Sequence, residues 1–112
     1  MNYSVIFHVD ELTKWDLTLK NVANLLEQPH QNAARVAVLA NSEAVKGYLA
    51  QSALAGAMLK LNGRGVVFSA CNNSLNALGI DRAGLPLWVR VVPAGVLELV
   101  ERQAEGYAYI KP

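Results

Sequence analysis

The chain has 112 residues, 53% of them hydrophobic, with ten Lys and Arg against nine Asp and Glu for a formal charge of +1. That length fits one domain over residues 1–112. The scattered cations, none denser than Arg82 or Lys60 and Arg64 taken alone, lack the electrostatic footprint of nucleic-acid binding. A single cysteine excludes an intrachain disulfide and a zinc-finger ligand set and fits a reducing cytoplasm, and the N-terminal apolar run is too short for a signal or a membrane span.

Tyr3 to Val9 is rich in β-branched and aromatic residues and stops at Asp10-Glu11, which predicts a first buried strand. Leu12, Trp15, Leu19, Val22 and Leu25 or Leu26 then recur at three and four, the spacing of one helix face. Thr13 and Asp16 have the spacing of a capping box, and Pro29 marks the helix end. A second strand is expected over Arg35 to Ala40, closed by Asn41-Ser42, either of which can cap the next helix. That helix is poor in bulk (Ala44, Gly47, Ala50, Ala53, Ala55, Gly56, Ala57), so it should either break near Gln51 and Ser52 or bring a small face very close to a neighbour. Asn62-Gly63 ends it.

Gly65 to Ala70 predicts a third strand, running into Cys71-Asn72-Asn73-Ser74-Leu75 and a short helix that stops at Gly79. A loop with Gly84 and Pro86 leads to a fourth strand, Leu87 to Val92, in which Trp88 and Arg90 would share a face. Pro93-Ala94-Gly95 opens a helix carrying Val96, Leu97 and Val100 and stopped by Gly106, and Tyr107 to Ile110 reads as a last strand. Strands alternating with helices make an α/β protein, a mostly parallel five-stranded sheet with helices on both faces. Right-handed crossovers then bring His8 to Glu11, Ala40 to Glu43, Ala70 to Asn73 and Pro93 to Gly95 to one edge, where ligands of such sheets bind.

Cys71 stands out on that edge because the first N–H groups of a helix favour thiolate over thiol. The plainer alternative is a small buried apolar residue. His8 could exchange protons with Cys71 if the first and third strands are neighbours, with Asp10 or Glu11 orienting it; a histidine in an apolar strand is otherwise a hydrogen-bonded core residue. His30, beside Pro29, reads as exposed. Asn41, Asn72 and Asn73 could donate to an anion or a persulfide sulfur, or could serve only as caps and turns. Asp10, Glu11 and Glu43 could pair for acid–base work, although acidic residues also suit helix starts. Nucleotide-binding, dinucleotide-binding and serine-hydrolase motifs are absent from the sequence.

Several segments together resemble the DsrE/DsrF-like family of small α/β proteins. They are His8-x-Asp10-Glu11, Asn21-x-x-Asn24-Leu25-Leu26, Gly65-Val66-x-Phe68-x-Ala70-Cys71-Asn72-Asn73-Ser74-Leu75, and Val91 to Val96 continuing through Gln103 to Pro112. The resemblance implies a three-layer α/β/α domain that assembles into trimers or hexamers. It also implies a role in relaying sulfane sulfur, as a persulfide on the cysteine after the third strand, here Cys71. The Gly106 to Pro112 tail is typical of a branch without settled activity. The expected chemistry is attack of the Cys71 thiolate on a donor persulfide and transfer to an acceptor thiol, with the backbone around Asn72, Asn73 and Ser74 holding the anionic sulfur and His8 steering protons. It needs no metal or organic cofactor. The alternative is a non-catalytic homo-oligomer that binds a small anion or a partner protein in the same crevice. Neither reading calls for a membrane or a nucleic acid.

Overall fold

The structure, a computed structural model, describes residues 3–28 and 35–112. Pro29 and His30 lie outside the described residues. Five parallel strands form one sheet in the order β4-β3-β2-β1-β5. They are β1 (Ser4–Val9), β2 (Arg35–Ala40), β3 (Val67–Cys71), β4 (Arg90–Val92) and β5 (Ala108–Ile110). The helices are α1 (Trp15–Leu26), α2 (Ala55–Gly63), α3 (Asn72–Ala77) and α4 (Gly95–Ala104). The three inner strands are near-continuous apolar runs, as strands covered on both faces must be. The edge strands β4 and β5 have three residues each, too short to present a long unpaired edge.

The strand order sets which face each helix covers. From β1 through β4 the chain steps one way across the sheet, and right-handed crossovers place α1, α2 and α3 on one face. The connection from β4 to β5 reverses direction, so α4 is the one helix on the other face among the described residues. The larger core lies under α1 and the chain before α2, and includes Phe7, Val9, Trp15, Val22, Val38, Tyr48, Phe68 and Leu75. The smaller, under α4, is built from Ile6, Leu39, Val92 and Leu99.

The segment poor in bulk fulfils both expectations. Ser42–Tyr48 is a 3-10 helix, the chain breaks around Leu49 to Leu54, and α2 begins at Ala55. Gly47 lies flat against the Trp15 indole, where a β-carbon would come within 2.3 Å of Nε1. That indole donates to Ala44 O at 2.7 Å and packs edge-on against Tyr48, whose hydroxyl donates to Ser69 O at 2.9 Å. The buried polar ends of both rings are thus partnered, as burial demands.

Four local expectations are corrected. The fourth strand is only Arg90–Val92; Trp88 sits in a turn and joins the aromatic cluster, 5.6 Å from Phe68, so it does not share a strand face with Arg90. The capping box does not form, because a 3-10 turn at Leu12–Lys14 precedes α1 and neither N-cap, Glu11 nor Lys14, makes a side-chain cap bond. Nor does Asn41 cap the segment that follows it, since its amide is engaged elsewhere. After α2 the left-handed residue is Gly65, at φ 96°, two positions beyond Gly63.

Candidate functional site

Cys71 ends β3 and is the N-cap of α3, so its side chain leaves the sheet where that helix begins. It pairs in register with Val92, two residues before the Ala94 that caps α4. The first turn of α4 therefore lies against the sulfur as well. A β-carbon on Gly95 would stand 3.2 Å from Cys71 Cβ and 3.0 Å from Leu39 Cδ1, so α4 approaches this closely only because position 95 lacks a side chain. Two helix starts converge on one thiol.

The balance at that sulfur is measurable in its acidity. Burial pushes the Cys71 thiol up, since the side chain is 5% exposed. The Ser74 hydroxyl and the backbone N–H groups of Ser74, Gly95 and Asn73 act against burial and prevail, leaving the thiol below its ordinary range. Ser74 is itself held in place, because its Oγ accepts the Ser42 N–H at 2.7 Å. Ser42 takes a left-handed conformation, φ 52°, at that contact. The expected amide environment is present. The sulfur itself is not open: Cys71 is buried, with the start of α4 packed over it. A hollow of about 160 Å³ lined by Asn72, Arg82, Val91, Val92 and Pro93 lies beside the chain neighbours of Cys71, and the thiol is not part of its lining.

His8 does not join Cys71. Strand β2 separates β1 from β3, two strand spacings or about 10 Å across the sheet, and the register sets His8 level with Ser69 rather than with Cys71. The imidazole is instead hydrogen-bonded on both nitrogens, Nδ1 to the Tyr109 hydroxyl at 2.7 Å and Nε2 to Asn41 Oδ1 at 3.0 Å. Asn41 directly follows β2, between the two strands, so the polar groups form a row along the carboxyl edge: Tyr109, His8, Asn41, then Ser74 and Cys71. The acidic residues do not pair with one another. Asp10 takes Lys111 Nζ at 2.9 Å, and Glu43 takes Lys46 at 2.7 Å. The Lys111 hydrogen bond holds the Asp10 carboxyl below its usual range against the opposing effect of burial. Glu11 is exposed, Asn72 half-buried and Asn73 exposed. Among the described residues, no three His, Cys, Asp or Glu side chains are grouped to hold a metal ion, and no helix is long and apolar enough to cross a membrane.

Three contributors escape a reading by residue type. Gly95 acts through its backbone and its lack of bulk, Ser42 through an N–H, and Tyr109 from a strand 101 residues away from His8. Only the glycine at a helix start carries a recognisable signal.

A model of the DsrE/DsrF-like family matches residues 5–112. The chain therefore belongs to that family, whose fold is the type used in sulfur relay. Among solved structures it is similar to MTH1491, a protein of unknown function from Methanobacterium thermoautotrophicum. The two are 39% identical with a TM-score of 0.92, over 99% of this chain and 100% of that one. No curated protein matches.

Proposed function

We propose that the protein carries sulfane sulfur as a persulfide on Cys71. The observation that supports this most is the convergence of N–H groups from the starts of α3 and α4 on one sulfur, which favours its anionic form. The Cys71 thiolate attacks the terminal sulfur of a donor R–S–SH. The donor S–S bond breaks, RS⁻ leaves, and Cys71–S–SH forms without any external oxidant. An acceptor thiolate reverses the sequence and takes the outer sulfur. The same N–H groups then hold the terminal persulfide anion.

Burial of Cys71 favours a second reading, a binding module in which the thiol is incidental. One measurement separates them. After incubation with a small-molecule persulfide, intact-protein mass spectrometry should show one added sulfur, absent from Cys71→Ser; a wild-type protein that never gains it contradicts the carrier reading.

We also propose assembly into a homo-oligomer, a trimer or hexamer. Val96, Leu97 and Val100 make a stripe on α4 that is 48 to 68% exposed, immediately after the Gly95 that touches Cys71. A second copy seated on that stripe would cover it and complete the surroundings of the thiol.

A further inference from the structure

One helix cannot cover the sheet face that α4 occupies. Five strands span about 20 Å, whereas a helix with its side chains is about 10 Å across. Beside α4 this leaves a cavity of about 290 Å³, close to the lower limit of volumes that hold small ligands, about 300 Å³. Ala37 and Val67 floor it, and Arg35, Arg90, Arg102 and Glu98 wall it. Three guanidinium groups less one carboxylate give the lining a charge of +2.

The donors outnumber their partners. Glu98 is 5% exposed, and its Oε2 takes Arg90 Nη1 at 3.3 Å and Arg102 Nε at 3.7 Å. Arg102 Nη2 turns outward to Glu105 at 3.2 Å, and its buried Nε makes no hydrogen bond. Glu98 thus orients two arginines without exhausting them, since each guanidinium has five N–H donors. Arg35 has no carboxylate within ion-pair distance among the described residues, and residues 29–34 contain none in their sequence.

We propose that this cavity binds a small organic anion. Its carboxylate or phosphate bridges the unused guanidinium edges of Arg35 and Arg90, and its carbon skeleton lies on Ala37 and Val67. Val67 is four residues before Cys71 on β3, about 13 Å away along the strand. The site is therefore separate from the thiol and stands whether or not Cys71 carries sulfur.

Titration calorimetry of the full chain with inorganic phosphate, benzoate and phenyl phosphate tests the proposal. Saturable binding of one benzoate or phenyl phosphate per chain is expected, and the tighter of the two identifies the head group. Arg35→Gln, at an exposed position, should weaken binding about tenfold through loss of one charge-assisted contact. Arg82→Gln and Cys71→Ser, outside the cavity, should leave it unchanged. No saturable binding of any probe, or binding that Arg35→Gln and Arg90→Lys both leave intact, overturns it.

Discussion

At the scale of single residues, Cys71 is governed by two opposed effects of the same packing. Closing α3 and α4 over the sulfur removes water, which disfavours the thiolate, and supplies amide donors, which favour it. Because the donors prevail, removing one should be visible. Ser74→Ala takes away the hydroxyl at the sulfur and strands the Ser42 N–H, so the Cys71 pKa, followed by thiolate absorbance, should rise, and stability should fall by about 1 kcal/mol. A depressed folded-state pKa means that the unfolded chain binds more protons between the folded value and the ordinary one, about 8.5. The contribution of Cys71 to stability is therefore complete above that ordinary value and is lost as pH falls through the folded one, so denaturation at pH 9 should show a larger Ser74→Ala deficit than at pH 6. An equal deficit at both would separate the thiol from its donors. The cysteine, the helix start and Ser74 were legible in the sequence because they are contiguous; Gly95 was not legible as a donor to the thiol, because nothing in its local pattern says which sulfur its N–H meets.

Among the elements, the 3-10 segment Ser42–Tyr48 repays attention because its small residues have a specific steric cause. With Gly47 against a Trp15 ring that is itself 1% exposed and hydrogen-bonded to Ala44 O, an added methyl has nowhere to displace the indole. Gly47→Ala should therefore cost about 3 kcal/mol by overpacking and loss of that bond, measurable in urea unfolding, whereas Gly56→Ala, where nothing lies within 4 Å, should be neutral or stabilising. Comparable losses at the two positions would contradict this packing. The tendency to break was readable from the sequence, as was the alternation of strands and helices. The short β4 was not: Trp88 fits strand periodicity, but the space beside Phe68 and Tyr48 draws it into a turn. The tail strand β5 is tied at its end by Lys111 to Asp10, and Lys111→Ala should raise the Asp10 pKa in an NMR titration; an unmoved Asp10 would assign its low value to another cause.

Over the whole molecule, one topological reversal accounts for both sites. Because α4 crosses to the second face, its start meets Cys71, Glu98 in its first turn and Arg102 in its last wall the arginine cavity, and its outward stripe is left exposed among the described residues. If that stripe joins copies, Val100→Asp should yield folded monomers by sedimentation velocity where the unmodified protein sediments as an oligomer; a monomeric unmodified protein would contradict the assembly. The parallel sheet and its functional edge follow from the order of elements in the sequence, but the neighbours of each strand do not, and that is why His8 was expected beside Cys71 and is found bonded to Asn41 and Tyr109. The proposed activity depends most on the thiol, and the pH dependence of Cys71 alkylation in the intact protein tests it most directly, since it reports ionisation and access together. It predicts saturable alkylation with a midpoint below the ordinary cysteine value of about 8.5. A midpoint at or above that value, or a sulfur that alkylates only when the protein unfolds, would contradict it.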